Sequence, residues 1–138
     1  MNQSAIDSVV KTTYASEHDA IVRAIQYYID GSLAGRSELM RPGFHPDAII
    51  VGHFGGSLIF SPIQKLFDLI DGNGPAPDIE ARIAGIDLFD TVACVHLEVE
   101  HWSGDVVDAD AHMSDLFTLI KTDEGWRISQ KMFHQHTH

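Results

Sequence analysis

The chain reads as an α+β domain in which helices cover one side of a strongly curved antiparallel sheet. Three observations predict this. Helical periodicity is confined to the first half, where it flanks one short hairpin, and four longer stretches with strand character fill the second half. The last two of those stretches form a hairpin of their own, HMSDLFTLIKTDEGWRISQKMFH, whose apolar runs alternate with period two on either side of a turn. Helices and strands segregated along a chain in this way make an α+β architecture rather than βαβ units.

At 138 residues, 44% hydrophobic and 21% charged, the chain suits one domain, 1–138, that folds without disulfides or a structural metal. Residues 135–138 are expected to form a flexible tail. The formal net charge of −11 at pH 7 argues against nucleic acid or an anionic membrane as partner, since either needs a basic surface to displace counterions. The opening MNQSAIDSVVKTTYASEHDA lacks the basic start and apolar core of a signal peptide, and no apolar run reaches membrane-spanning length. The expected location is cytoplasmic. Cys94, the single cysteine, reads as a small buried thiol. Nine histidines raise the question of a metal, but none are paired at the HExxH spacing. His134, His136 and His138 read as a solvated tail, so no metal and no cofactor are expected. No G-x-S-x-G, P-loop or dinucleotide fingerprint is present.

In chain order, Ile6, Val9, Val10, Thr13 and Tyr14 suggest a short leading helix after a Ser4 N-cap. A longer helix is predicted from Ser16, where S-x-x-D with Asp19 resembles a capping box, through Ile21, Ile25, Tyr28, Ile29 and Leu33 to Gly35. Ser37 to Met40 adds a helical turn stopped by Pro42-Gly43. Ala48 to Phe54 reads as a strand, Gly55-Gly56 as a turn and SLIF as its partner. The next helix is predicted to start with Ser61 as N-cap and Pro62 at its first position, with Ile63, Leu66, Phe67 and Ile70 buried until Gly72. Residues 71–77 read as a loop. Strands follow over Ile79 to Leu88 and Val92 to Trp102; in the second, Ala93, Val95, Leu97 and Val99 make one apolar face, and Cys94, His96, Glu98 and Glu100 the other. In the final hairpin, a type I turn closed by Gly125 would set Thr122 opposite Trp126 and Lys131 opposite Phe117, diagonal to Asp115. Strict alternation then puts Met113, Asp115, Phe117 and Leu119 on one face with Arg127, Ser129, Lys131 and Phe133. Leu116, Thr118 and Ile120 share the other with Trp126, Ile128, Gln130 and Met132. Asp115 and Lys131 are either a salt bridge or part of a pocket lining.

The stretches YYIDGSLAGRSELMRPGFHPDAIIVG and SDLFTLIKTDEGWRISQKMF, in that order, resemble the NTF2-like superfamily. This is the cone-shaped, cystatin-like fold of nuclear transport factor 2, ketosteroid isomerase and the polyketide cyclases of the SnoaL type. The resemblance is closest to its putative lumazine-binding branch. It implies a cone whose concave side holds a small-molecule pocket and whose convex sheet forms a homodimer, for which Leu116, Ile120, Trp126 and Ile128 would supply the apolar patch. It also places Tyr28 and Asp115 where the isomerases keep the two donors of their oxyanion hole, a tyrosine and an aspartic acid held neutral by its apolar site. Gly52 falls where they keep the general base, and the adjacent His53 points the other way along a strand. Lys131 is a further departure: an ammonium beside Asp115 should lower its pKa and keep it ionised. Steroid isomerisation is therefore not expected.

The resemblance turns the Asp115 face toward a pocket, with Tyr28, Asp115, Lys131 and His101 as its polar groups and Phe44, Phe67, Val95, Leu97, Phe117 and Phe133 as its walls. Three functions remain open. The first is a binding protein for an anionic or carbonyl-bearing, aromatic or heteroaromatic small molecule. The second is an enzyme of the polyketide cyclase, isomerase or dehydratase kind, with Asp115 as acid or base and Tyr28 or His101 as its catalytic partner. The third is a non-catalytic dimeric interaction subunit, in which Asp115 and Lys131 only neutralise one another in a filled core.

Overall fold

The computed structural model describes residues 13–107 and 110–136; of the predicted leading helix, Ile6, Val9 and Val10 lie outside them, while Thr13 and Tyr14 begin the long helix instead. The long helix α1 spans Tyr14–Ala34. Its N-cap is Thr13 and not Ser16. The two residues form a reciprocal capping box, each backbone N–H donating to the other's hydroxyl at 3.0 Å, so the motif exists one turn earlier than predicted and with serine in place of the acidic partner. At the far end Gly35 turns the chain with φ of 66°. A Cβ there would stand 2.1 Å from the backbone of Gly74, so this position needs glycine for both its conformation and its close approach. Two short 3-10 turns, Ser37–Leu39 and Arg41–Gly43, lead into β1 (Phe44–Phe54) and its partner β2 (Ser57–Pro62).

Helix α2 runs over Gln64–Asn73, starting two residues later than predicted, with Ile63 at its cap and no side-chain cap bond. Ser61 and Pro62 instead finish β2, where Pro62 pairs with Ile49 and Ile63 N–H donates to the Ala48 carbonyl at 2.9 Å. A proline is tolerated at that end because β2 is an edge strand. Of the predicted 71–77 loop, residues 71–73 form the last turn of α2. The remaining strands are β3 (Glu80–Phe89), β4 (Val92–Trp102), β5 (Ala111–Thr122) and β6 (Gly125–Gln135). The six form one curved, unclosed sheet in the order β2-β1-β6-β5-β4-β3. Four pairings are antiparallel, as predicted, but β1 and β6 run parallel. These two strands lie far apart in the chain, so no hairpin dictates their sense.

Bulges interrupt the register between Ile83 and Gly85, between Val99 and Trp102, and between Thr118 and Leu119 on the β5–β6 seam. Each adds local bend and twist, and the last two overturn the faces expected from strict alternation. At the final hairpin Thr122 pairs with Gly125, and Leu119 with Ile128; past the extra residue Ser129, Phe117 pairs with Lys131 as predicted. Trp126 and Ile128 are therefore buried in the core, not on the convex surface where the dimer patch was expected to include them. Leu116 and Met132 do lie on the convex face and are exposed.

Helix α1 lies on the concave side, burying Ile21, Ala24, Ile25 and Tyr28. Its first turn is held by Glu17, whose carboxylate accepts from Trp126 Nε1 at 2.5 Å and Lys121 Nζ at 2.7 Å. That clamp ties the helix to the last hairpin, so the position of Tyr28 three turns further on follows from the position of β6.

Candidate functional site

Tyr28, Asp115 and Lys131 converge inside the cone. Tyr28 reaches in from α1 and packs edge-on against Phe44, Trp102 and Phe117, with ring centroids 5.1 to 6.4 Å apart. Asp115 comes from the middle of β5 and Lys131 from β6, one register step apart. The Lys131 ammonium stands 3.4 Å from Asp115 Oδ1, 4.2 Å from the centre of the Phe133 ring and 5.4 Å from that of Tyr28. All three side chains are almost wholly buried, at 1%, 1% and 3% exposure for Tyr28, Asp115 and Lys131. Aromatic faces on two sides of the ammonium partly replace the water it has lost.

The polar atoms here are poorly satisfied. Tyr28 Oη, both carboxylate oxygens of Asp115 and Trp102 Nε1 have no well-formed hydrogen bond among the described residues. Lys131 and Asp115 are at ion-pair distance rather than in good hydrogen-bond geometry. Burial pushes the Asp115 pKa up, and the attraction of Lys131 reduces that shift without reversing it. Lys131 thus acts in the expected direction, but the expected net lowering of the Asp115 pKa is overturned because desolvation outweighs the ion pair. Burial likewise lowers the Lys131 pKa against the pull of Asp115, and raises the Tyr28 phenol well above its usual value, with the Asp115 charge adding to the rise. Asp115 and Lys131 are shifted toward each other's range, as side chains poised for proton transfer are, while Tyr28 is held as a neutral hydroxyl donor.

A cleft of about 30 Å³ opens beside this cluster, lined among others by Leu66 and Ile70 of α2, Asn73, Trp102, Lys131 and Phe133. That volume holds a water or two, not a drug-sized ligand. Asn73 shapes its mouth. Its Oδ1 accepts from the N–H groups of Val106 and Val107 at 3.0 and 2.7 Å, and its Nδ2 donates to the Ser103 carbonyl at 3.0 Å, which folds the loop after β4 over α2.

Of the expected walls, Phe133 lines the cleft; Val95, Leu97 and Phe117 are packed into the core beneath it. Phe44 and Phe67 meet edge to face at 5.7 Å and border a different, surface groove. His101 does not join the site. It is exposed, with φ of 60°, and its Nδ1 lies 2.5 Å from Asp110 Oδ1. The bulge between Val99 and Trp102 inverts the end of β4, turning His101 outward and Trp102 inward. Trp102 is thus the interior residue that period-two reading missed, although burying the indole and exposing the imidazole is the cheaper choice by hydrophobicity. Gly52 faces the interior, where an added Cβ would fall 2.1 Å from the Phe133 carbonyl and 2.5 Å from its ring. The Phe133 ring fills the place a base at residue 52 would need. His53 is exposed on the convex side.

The model of the family described as Putative lumazine-binding matches residues 16–134. The aldolase FrzH from Cladobotryum sp is 30% identical over 128 residues, covering 93% of this chain and 98% of its own length. Among solved structures, an NTF2-like protein of unknown function from Methylobacillus flagellatus KT is 37% identical with a TM-score of 0.81, over 93% of this chain and 98% of that one. A second, from Shewanella baltica OS155, is 34% identical with a TM-score of 0.81, over 93% of this chain and 100% of that one. The match spans both helices, all six strands and every residue of the interior cluster, and the chain belongs to the putative lumazine-binding family of the NTF2-like superfamily.

Proposed function

We propose that the cone binds a small carbonyl compound and that Asp115 moves the proton on the carbon next to its carbonyl group. The observation that carries this reading is the set of buried polar atoms beside the cleft with no well-formed hydrogen bond: Tyr28 Oη, the Asp115 carboxylate and Trp102 Nε1, with the Lys131 ammonium among them. Leaving such groups unmet costs roughly 1–3 kcal/mol each, more for a charge, and a core selected for packing alone would have replaced them with apolar side chains. A carbonyl oxygen placed among Lys131, Tyr28 and Trp102 would meet two donors, the Tyr28 hydroxyl and the Trp102 indole, that lack a well-formed hydrogen bond, beside an ammonium held only by the Asp115 ion pair. Asp115, its basicity raised by burial, then takes the α-proton, and the negative charge developing on oxygen is held by the Lys131 ammonium and the Tyr28 hydroxyl.

Proton removal next to a carbonyl is the step that aldol addition, isomerisation and dehydration share, and the similarity to an aldolase over nearly the whole chain is consistent with it. Because the cleft holds only about 30 Å³, binding requires Phe133 and the residues of α2 facing it to move apart. Such a ligand makes the convex apolar strip of Leu58, Phe60, Leu116 and Met132 no less available for pairing two copies, and we assign the homodimer contact to it.

The test begins with thermal shifts against a panel of aldehydes, ketones and carbonyl-bearing heterocycles, since a ligand of the folded state must raise the melting temperature. Deuterium exchange at the α-carbon of each compound that binds is then followed by NMR. The expected result is enzyme-dependent exchange that Asp115→Asn abolishes while binding persists. Binding without exchange in the parent protein would reduce the function to ligand carriage.

A further inference from the structure

The convex face of the sheet carries a second cluster that the interior site does not use. Glu98 of β4, His112 and Ser114 of β5 and His136, just beyond β6, meet there. The His136 N–H donates to the His112 carbonyl at 2.9 Å, prolonging the β5–β6 ladder and stacking the two imidazoles with centroids 4.2 Å apart and planes 20° from parallel. His112 Nε2 lies 2.7 Å from Glu98 Oε1. Ser114 Oγ donates to that same oxygen at 2.9 Å and lies 2.8 Å from His136 Nε2. His96 Nε2 holds the other carboxylate oxygen, Oε2, at 2.5 Å. One ligand atom each from Glu98, His112 and His136 lie within 4.8 Å of one another, and all three side chains are half-buried.

We propose that Glu98, His112 and His136 bind one divalent transition-metal ion, Zn²⁺ foremost. Two imidazoles and a carboxylate are the ligand types that suit zinc and its neighbours and not magnesium or calcium, which prefer oxygen alone. Bonds of about 2.0–2.1 Å in a tetrahedron put ligand atoms about 3.3 Å apart; His112 Nε2 and Glu98 Oε1 stand at 2.7 Å and all three ligand atoms lie within 4.8 Å of one another, so small side-chain rotations would close the set. The fourth position is left to water. Ser114 and His96 become outer partners, each still bonded to Glu98 and fixing the carboxylate's orientation. The carboxylate is already held in place, with His112 and Ser114 on one oxygen and His96 on the other. The imidazole of His112 would exchange its hydrogen bond with Glu98 for a bond to the ion, coordinating in its neutral form. The net charge of −11 favours capture of a cation.

Sequence spacing conceals this set, because residues 98 and 112 come from two strands and residue 136 follows a third, and they meet only through the β4–β5 and β5–β6 registers. The test is calorimetric titration of chelator-treated full-length protein with ZnCl₂, with Co²⁺ absorption as a report on tetrahedral coordination. One ion per chain is expected, together with a higher melting temperature. Glu98→Gln, His112→Ala and His136→Ala should each weaken binding by about tenfold or more, while His45→Ala leaves it within about twofold. His136 lies beyond the last strand, so its variant keeps the fold even if the others lose stability. Zinc affinity unchanged in His136→Ala and Glu98→Gln, or no uptake by the parent protein at about a hundred times a micromolar dissociation constant, would overturn the assignment.

Discussion

Strands β4, β5 and β6 place ionisable side chains on both of their faces, and the two faces treat them in opposite ways. On the concave side Asp115 and Lys131 are fully buried, 3.4 Å apart, with both carboxylate oxygens short of a hydrogen bond. On the convex side Glu98 is half-buried and more than satisfied, with His112 and Ser114 on one oxygen and His96 on the other. Burial raises the Asp115 pKa, whereas hydrogen bonding lowers that of Glu98 to about 2. One sheet thus holds a carboxylate kept poor in partners and another kept rich in them. The difference teaches that local chemistry, not residue type, decides which acid is ready to exchange a proton and which is a fixed charge suited to a cation.

The sharpest way to break the comparison is Lys131→Met, which leaves Asp115 buried without its cation. At pH 7.5 it should cost about 3–5 kcal/mol in urea unfolding. The penalty has a sign that pH reveals. An aspartate whose folded pKa lies above the unfolded value contributes stability below the unfolded pKa and loses it as pH rises through the folded one, so the variant's deficit should shrink between pH 7.5 and pH 5. A deficit that grows on acidification would mean that Asp115 is not held toward its protonated form.

The double variant Asp115→Leu, Lys131→Met should behave differently from the single one. Replacing a buried pair with apolar side chains is neutral or stabilising by up to about 4 kcal/mol, and melting should show it while ligand-dependent α-proton exchange disappears. A double variant as unstable as Lys131→Met would make the pair a structural element and weaken the functional reading.

On the convex side the expected effects are smaller. Glu98→Gln should cost about 1–2 kcal/mol at neutral pH after solvent screening. Because the folded pKa of Glu98 is depressed from 4.5 to about 2, its contribution is present above about pH 4.5 and lost as pH falls toward 2. Parent and variant unfolding curves should therefore converge in that window. Smallest of all, Leu116→Lys should leave the stability of the monomer within about 0.5 kcal/mol, and sedimentation should show any dimer dissociating at higher protein concentration than in the parent.

Much of the concave cluster was legible from alternation alone. Lys131 opposite Phe117, and Asp115 two residues further along the same face, follow from the spacing of the last hairpin, and Tyr28 follows from the helical stripe that includes Ile21 and Ile25. What escaped has one cause in two places. The bulges at Val99 to Trp102 and at Ser129 each insert a residue that shifts the inward parity of the strand, exchanging His101 for Trp102 and drawing Trp126 and Ile128 into the core. Glu17 escaped for another reason: a glutamate in a first helical turn reads as a solvated charge until the hairpin brings Trp126 and Lys121 to it.

Sequence alone determined the order of helices and strands, the burial of Tyr28 and the pairing of Asp115 with Lys131, because periodicity and turn chemistry act over a few residues and are written locally. Only the tertiary structure decided where the strands bulge, how little space remains beside Lys131 and that Glu98, His112 and His136 share one patch. Those outcomes depend on how distant segments pack and on registers between strands, to which no single stretch of residues is sensitive.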